Sequence, residues 1–217
     1  MRIRVLLVDD HQMMREGLSA LLCGSADIDV VGEAADGRTA LDLVRTLKPD
    51  VVVMDVGMAG LNGVEATRRI RTEYPGVKVI ALSTHTDARY VHHMLEAGAC
   101  GYVLKISAHE ELLRALRAAS RGLTYLSTEI AGLVVHRSTH AHTSTEVSAY
   151  TSLGAREREV LQLVAEGKTS SETAQQLHIS IKTVESHRRN IALKLGLHGT
   201  AELTKYAVRE GLTSLDD

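Results

Sequence analysis

The sequence predicts a doubly wound α/β fold with a five-stranded parallel sheet, followed by a small all-α domain. Three features of the 217 residues support this prediction. Apolar runs rich in Val, Ile and Leu alternate with amphipathic stretches over the first 121 residues, then a stretch rich in Ser, Thr and His follows, and the remainder has helical periodicity. Because right-handed crossovers place helices on both faces of a parallel sheet, the alternating part is expected to be doubly wound.

The five apolar runs are the predicted strands, since parallel strands buried on both faces have continuous apolar sequence. These runs cover residues 3–8, 28–31, 51–54, 77–82 and 102–104. The amphipathic stretches between them carry apolar residues three and four positions apart and are the predicted helices. They cover residues 12–23, 37–47, 63–72, 87–97 and 108–121.

Composition divides the chain into three parts. We expect an α/β domain over 1–125, a linker over 126–151 and a helical domain over 152–217. A short apolar helix is predicted over 128–136, before the linker becomes too polar to form a core. His136, His140 and His142 could bind a metal, but no Cys or acidic residue lies at ligand spacing, which favours a solvated linker.

Four helices are predicted after Leu153. Their bounds are Ala155–Glu166, a short helix from the capping box 169–172 to Leu177, Ile181–Leu195 and Thr200–Arg209. Gly167 and Gly196 provide stops, and Ser180 is a cap. The second and third of these helices, joined by a tight turn, form a helix-turn-helix.

Bulk composition argues against several classes of protein. No apolar run approaches the roughly 20 residues that cross a bilayer. The start MRIRVLLVDDHQ has only a short apolar stretch before two acids, unlike a secretory signal, so we expect a cytoplasmic protein. The absence of Phe and Trp argues against stacking of single-stranded bases. The two distant cysteines, Cys23 and Cys100, suggest buried free thiols rather than a metal or disulfide framework.

Three acidic residues follow predicted strands directly. Asp9 and Asp10 follow the first strand, and Asp55 follows the third. Since ligands bind beyond the carboxyl ends of the strands in an open parallel sheet, neighbouring strands would bring these carboxylates into one crevice. Their mutual repulsion would raise a pKa or require a cation, and Mg²⁺ prefers such oxygen ligands.

The fourth strand ends at Ser83 and the fifth at Lys105, which adds a hydroxyl and an ammonium at the same edge. Carboxylates, a cation, a hydroxyl and an ammonium are the groups that phosphoryl transfer uses for positioning and charge neutralisation. Taken singly, an Asp, Ser or Lys at a strand end is usually a loop or solvated residue. Suitable residues at the ends of four strands favour the functional interpretation.

This chain resembles the receiver domain of bacterial response regulators over roughly residues 1–125, in the segments VLLVDDH, VVVMDVGMAGLNG, VIALS and GYVLK. The resemblance implies a flavodoxin-like sheet with strand order 2-1-3-4-5. It also implies that Asp55 takes a phosphoryl group from the phosphohistidine of a sensor kinase. Asp10, Asp55 and the backbone carbonyl of Gly57 would bind Mg²⁺, with Asp9 helping through water.

The same resemblance implies roles for three further residues. Lys105 and Ser83 would hold the phosphoryl oxygens, and Tyr102 would be an aromatic switch that turns inward when Ser83 moves toward the phosphate. Ala59 stands where many relatives have Pro, and Ile106 where relatives often have Asp or Pro. Neither departure removes a reacting group; they bear on loop rigidity and on the lifetime of the phosphoryl group.

The predicted third helix of the C-terminal domain combines an apolar face with a basic one. Between Ser180 and Leu195 there are four basic residues and one acid, on a domain with nine of each. A solvated amphipathic face is the alternative interpretation for such a helix. The preceding capped helix and turn favour entry into the major groove of DNA, where Arg engages guanine and Glu accepts from cytosine.

The segment LGAREREVLQLVAEGKTSSETAQQLHISIKTVESHRRNI resembles the LuxR-type helix-turn-helix of NarL/FixJ-type regulators, over about 153–212. By this resemblance Glu185, Ser186 and Arg189 would face bases. The residues expected at phosphates are Lys182, Thr183, Arg188 and Lys194. Gly154-Ala155 and Ser171 depart from the usual Thr-Pro and Lys, and the latter change removes one phosphate contact.

The combined prediction is a transcription regulator of a two-component system, not an enzyme. Double-stranded DNA is an expected partner. The resemblance also implies a sensor histidine kinase and, once the chain is phosphorylated, a second copy bound through the last helix around Ala201–Val208. Phosphorylation would either release the predicted DNA-binding helix, Ile181–Leu195, from the receiver domain or favour the dimer. Two alternatives stay open: a DNA-binding protein independent of phosphorylation, and a helical domain that docks proteins.

Overall fold

The computed structural model describes residues 2–140, 149–210 and 212–213. The chain forms two compact units, Met1–His140 and Ala141–Asp217, each with its own apolar core. Within the described residues, every helix is too short or too polar to cross a membrane.

The described part of the first unit contains a six-stranded parallel sheet with the order β2-β1-β3-β4-β5-β6. The strands are β1 Ile3–Val8, β2 Ile28–Ala34, β3 Val51–Asp55, β4 Lys78–Ser83, β5 Gly101–Leu104 and β6 Tyr125–Leu126. The five predicted strands and their order are confirmed, but the predicted number of strands is too low. β6 has only two residues, too few for an apolar run or a period of two to reveal it.

Helices cover both faces of the sheet, as a doubly wound fold requires. They are α1 Gln12–Cys23, α2 Gly37–Leu47, α3 Gly63–Glu73, α4 Ala88–Glu96 and α5 Ala108–Ser120. Val5 and Leu7 of β1 belong to the layer under α1 and α5, whereas Leu6 and Val8 belong to the layer under α2, α3 and α4. All four side chains are at most 1 % exposed, which explains why β1 is apolar at every position.

A sixth helix, α6 Thr128–His140, continues the first compact unit beyond β6. It contains the helix predicted over 128–136, and its Ile130 is fully buried in the core layer of α2, α3 and α4. The domain bounds at 125 and 151 stay predictions. The side chains of His136 and His140, and all of His142, lie outside the described residues.

Both cysteines lie in the first unit and carry free thiols. Cys100 is half-buried, and its Sγ lies 3.4 Å from the backbone oxygen of Val79. Cys23, the last residue of α1, is exposed. The prediction of buried thiols is therefore wrong for Cys23, since α1 turns Leu18 and Leu22 inward and this residue outward.

The second unit contains the four predicted helices with nearly the predicted bounds. They are α7 Ala155–Ala165, α8 Ser170–Leu177, α9 Ile181–Leu195 and α10 Thr200–Arg209. The capping box at the start of α8 is present: the amide of Glu172 donates to Thr169 Oγ1 at 3.3 Å, and the amide of Thr169 donates to Glu172 Oε2 at 2.8 Å. Val160, Val184 and Ile191 lie in the core, each at most 1 % exposed.

Candidate functional site

The carboxyl ends of four neighbouring strands bring the predicted site residues together. Asp9 follows β1 directly, Asp55 ends β3, and Ser83 ends β4. Register places Asp55 beside Leu82 and Ser83 beside Leu104, the residue before Lys105. Because parallel strands end at the same edge, residues up to 96 positions apart in the sequence meet there.

A single ammonium group bridges two buried carboxylates at this edge. Lys105 Nζ lies 2.7 Å from Asp55 Oδ2 and 2.8 Å from Asp9 Oδ2. Asp9 is 1 % and Asp55 3 % exposed, so both carboxylates are withdrawn from water. A charged hydrogen bond of this length is strong, and the one from Lys105 holds the Asp55 carboxylate in a defined position.

Burial dominates the electrostatics of Asp55. Burial and, after it, the charge of Asp9 raise the pKa of this carboxyl, Lys105 opposes both, and the net result is a pKa of about 6. Burial would lower the pKa of Lys105, but the facing Asp55 and Asp9 carboxylates more than offset this and raise it. The ammonium therefore stays charged at neutral pH, while repulsion between the two carboxylates is only partly compensated.

The acidic group extends to the exposed side of the edge. Asp10 is exposed, and His11 Nδ1 lies 2.8 Å from Asp10 Oδ1 and 3.3 Å from Asp9 Oδ1. One ligand atom from each of these residues and from Asp55 lies within 4.8 Å of the others, a separation that allows them to hold one metal ion. The donors are mainly carboxylate oxygens, which fits a hard divalent cation.

The loop after β3 is held against Asp55 by a backbone hydrogen bond and by the close approach of Gly63. The amide of Gly57 donates to Asp55 Oδ1 at 3.3 Å. Gly63 begins α3, and a Cβ at this position would lie 1.9 Å from the backbone oxygen of Asp55. Only glycine permits that approach, so Gly63 sets the path of the loop. Ala59, on the same loop, is exposed.

The predicted switch residues are connected through His85, which the sequence analysis did not single out. Ser83 Oγ accepts from the backbone amide of His85 at 3.0 Å, and the Tyr102 hydroxyl donates to the His85 carbonyl at 2.9 Å. The His85 ring stacks on Tyr90 with ring centroids 4.2 Å apart. Tyr102 already points inward, with none of its surface exposed, and burial raises the pKa of its phenol, which stays protonated.

In the second unit, α9 presents most of the predicted DNA-binding residues to solvent. Ser180 Oγ accepts from the amide of Thr183 at 3.1 Å and caps the helix. Val184 and Ile191 point into the core, which turns the opposite face outward. The predicted residues on that exposed face are Lys182, Thr183, Glu185, Ser186 and Arg189.

Four of the predicted DNA-binding residues have side-chain partners inside the domain: Thr183 Oγ1 lies 2.8 Å from the cap hydroxyl of Ser180, and three others contact residues outside α9. Glu185 accepts a hydrogen bond from the hydroxyl of Ser170 in α8, and Arg188 donates to Thr200 Oγ1 at 3.3 Å. Lys194 Nζ lies 2.6 Å from Glu157 Oε2 and 3.1 Å from the backbone oxygen of Ser152. Lys194 thus ties the end of α9 to the start of α7, and its contact with a DNA phosphate stays a prediction.

Comparison with known proteins identifies both units. The family profile of the response regulator receiver domain matches residues 5–117, and that of bacterial regulatory proteins of the luxR family matches residues 151–207. The chain is 43 % identical over 212 residues to the transcriptional regulatory protein LiaR of Bacillus subtilis. That alignment spans 98 % of this chain and 100 % of LiaR.

Solved structures of RcsB share the arrangement of both domains along the chain. RcsB of Salmonella enterica serovar Typhimurium, bound to the promoter rprA with the phosphomimetic BeF₃⁻, matches with a TM-score of 0.63 and 25 % identity over 95 % of this chain and 98 % of RcsB. A structure of two RcsB dimers bound to two parallel DNAs matches with a TM-score of 0.59 and 26 % identity over 95 % and 98 %. This chain therefore belongs to the response regulators of two-component systems of the NarL/FixJ type, which join a receiver domain to a luxR-family DNA-binding domain, and it is a transcription regulator rather than an enzyme.

Proposed function

We propose that Asp55 is the phosphoacceptor and that its phosphorylation by a sensor histidine kinase controls DNA binding by α9. The observation that carries this proposal is the bridge from Lys105 Nζ to Asp55 at 2.7 Å and to Asp9 at 2.8 Å. A buried carboxylate beside a fixed ammonium and a second carboxylate is suited to accept a phosphoryl group. Asp55 is largely ionised at pH 7, about ten to one for a pKa of about 6.

In the transfer, a carboxylate oxygen of Asp55 attacks the phosphorus of phosphohistidine opposite the imidazole nitrogen. An O–P bond forms, the N–P bond breaks, and the leaving imidazole takes up a proton. Lys105 moves its contact from the carboxylate to a phosphoryl oxygen, and the Ser83 hydroxyl donates to another. Both contacts become stronger as negative charge gathers on the phosphoryl oxygens.

Asp10, Asp55 and the Gly57 carbonyl would hold Mg²⁺, with Asp9 bound through a water molecule. The bound cation would supply positive charge against the incoming phosphoryl group. The donor set fits this cation, since Mg²⁺ takes one or two carboxylates together with waters and phosphate oxygens. The raised pKa of Asp55 has burial and the Asp9 charge as its main causes, and a cation would relieve the second of these.

The signal would leave the site through Ser83. When its hydroxyl turns to the phosphoryl group, the His85 amide loses the acceptor that now lies 3.0 Å away. The His85 carbonyl holds the Tyr102 hydroxyl at 2.9 Å, so the β4–α4 segment and Tyr102 move together. The proposed output is a rearrangement of the surface formed by β4, α4 and β5, which would either release α9 or favour a dimer.

For DNA, we propose that α9 enters the major groove. Glu185, Ser186 and Arg189 would face bases, while Lys182, Thr183, Arg188 and Lys194 would contact phosphates. A dimer formed through α10, around Ala201–Val208, would place two recognition helices about one DNA turn apart. RcsB, a similar protein, binds DNA as a dimer, which supports a dimeric DNA complex for this chain.

The test compares DNA affinity and oligomeric state of the wild type with and without a small-molecule phosphoryl donor, and of Asp55→Ala with the donor. We expect tighter binding and a larger dimer fraction only for the phosphorylated wild type. Equal affinity and equal oligomeric state in all three samples would reject the switch.

Base recognition is tested separately by Arg189→Lys and Arg189→Ala. Lysine keeps the charge but loses the planar fork that engages guanine with two hydrogen bonds. We expect Arg189→Lys to relax the preference at one base pair by roughly 1–3 kcal/mol and Arg189→Ala to weaken binding as well. Unchanged base preference in both folded variants would remove Arg189 from the recognition set.

A further inference from the structure

The first unit contains a buried carboxylate outside the acceptor site. Glu111, in the first turns of α5, is 7 % exposed. Its Oε2 atom accepts a hydrogen bond from Ser107 Oγ at 3.2 Å and a second one from the hydroxyl of Ser127. Burying a carboxylate costs free energy unless the group is hydrogen-bonded, so these two contacts stabilise Glu111 in its buried position.

The two hydroxyls lie on either side of Lys105. Ser107 ends the 3₁₀ turn Lys105–Ser107, two residues after the lysine. Ser127 Oγ accepts from the amide of Leu104, the residue before the lysine, at 3.2 Å. Glu111 therefore closes a network that holds the backbone at the residue before Lys105 and again at the end of its turn.

Ser127 is itself a fixed anchor for this network. It has no exposed surface, and its amide donates to the backbone oxygen of Tyr102 at 3.0 Å. Its carbonyl accepts from the amides of Ile130 and Ala131, both at 2.9 Å, at the start of α6. Backbone contacts to β5 and α6 thus fix Ser127, and its hydroxyl connects Leu104 to Glu111.

The ammonium of Lys105 must be placed accurately between two carboxylates. Its ammonium lies 2.7 Å from Asp55 and 2.8 Å from Asp9 at the end of a long, flexible side chain, so its position depends on a fixed Cα. β5 fixes the chain only as far as Leu104, which pairs with Ser83. Beyond that residue, the amide of Ala108 closes the turn on the Lys105 carbonyl. Ser107 Oγ contacts Glu111 and, at 3.4 Å, the backbone oxygen of Leu104, and these contacts tie the turn to α5 and β5.

We propose that Glu111 is a positioning residue for phosphoryl transfer, which acts through Ser107 and Ser127 to hold the segment that carries Lys105. The inference rests on the proposed function of Asp55 and adds a residue of α5 to that site. It does not require the charge of Glu111. One oxygen with two lone pairs accepts both hydroxyls, and the amide oxygen of glutamine provides the same acceptors.

The test measures the rate of Asp55 phosphorylation from phosphoramidate, at saturating donor and Mg²⁺, in full-length variants. Glu111→Gln keeps both acceptor contacts, and we expect a rate within about twofold of the wild type. Glu111→Met fills a similar volume without accepting, and a displaced lysine should slow transfer on the order of tenfold. Glu110→Met, on the exposed side of the same turn, is the matched control and should keep the wild-type rate.

Loss of stability is separated from positioning by two further variants. Val44→Ala weakens the core beneath α2, away from the Lys105 segment, and should lower the melting temperature but not the rate per folded molecule. Ser127→Ala removes the partner of the Leu104 amide and should slow transfer in the same direction as Glu111→Met. If Glu111→Met does not fold, the transfer rate of Ser127→Ala tests the positioning role instead.

The outcomes distinguish this inference from the function on which it rests. A wild type that takes up no phosphoryl group on Asp55 would reject the proposed function. A phosphorylated wild type matched in rate by Glu111→Met, or by Ser127→Ala where the first variant does not fold, would reject the positioning role alone. A slow Glu111→Gln, with the fold intact, would also reject it, since hydrogen bonding would then not be the property that matters.

Discussion

Replacing Asp55 by Asn should stabilise the receiver unit, although it removes the proposed phosphoacceptor. Burial and the Asp9 charge raise the pKa of Asp55 from its ordinary 3.8 to about 6. At about 1.4 kcal/mol for each pH unit, this difference means that the ionised carboxylate costs the folded state ~3 kcal/mol. Asn has nearly the same shape, and its amide oxygen can still accept from Lys105, so we expect a gain of about 1–3 kcal/mol at pH 7.5.

The pH dependence of this gain has a definite sign. The folded state binds the Asp55 proton more tightly than the unfolded state, so the penalty is absent below about pH 4 and complete above about pH 6. The stability difference between Asp55→Asn and the wild type should therefore grow as pH rises through this window and then level off.

Calorimetry of the full-length protein in EDTA measures the effect. About 3 °C for each kcal/mol gives an expected rise of roughly 3–9 °C in the melting temperature of the receiver unit at pH 7.5. Asp42→Asn is the matched control, because its side chain is 75 % exposed and its neutralisation should change little. A melting temperature for Asp55→Asn at or below that of the wild type at pH 7.5, or a gain independent of pH, would refute this account of Asp55.

Two further predictions concern the loop after β3 and the end of α9. Gly63→Ala should destabilise the receiver by several kcal/mol and slow phosphorylation, because the new Cβ would lie 1.9 Å from a backbone oxygen; Gly17→Ala, with open space around it in α1, should be neutral or stabilising in the same melting experiment. Lys194→Met should raise the pKa of Glu157, which Lys194 now helps to lower, and reduce the stability of the helical unit by about 1 kcal/mol. Lys182→Met, on the exposed start of α9, should weaken DNA binding without a change in melting temperature, and equal stability of both lysine variants would contradict the role given to Lys194.

Much of this protein could be predicted from local patterns. Continuous apolar runs predict strands buried on both faces, and the layers beneath Val5 and Leu6 confirm it. Caps and glycine stops predict helix ends to within a residue or two, since local hydrogen bonding sets them. Asp9, Asp55, Ser83 and Lys105 could be grouped without coordinates because the ends of parallel strands meet at one edge of the sheet.

Contacts between segments distant in the sequence could not be predicted in this way. The two-residue strand β6 exists because β5 offers an unpaired edge, not because Tyr125 and Leu126 have a recognisable pattern. The pairing of Lys194 with Glu157 joins residues 37 positions apart, and in the sequence Lys194 is one more basic residue of a basic helix. Which charged residues of α9 face solvent is decided by its packing against the other helices of the unit.

Asp55 shows most clearly which properties follow from the sequence and which follow from the tertiary structure. Its place at the end of a strand, beside two other acids and opposite a lysine, is determined by the order of residues along the chain. The raised pKa of its carboxyl, the close approach of Gly63 and the network from Glu111 to the Lys105 segment depend on tertiary structure. Burial and distance set electrostatic energies and hydrogen bonds, and both are properties of the folded chain rather than of any local stretch of sequence.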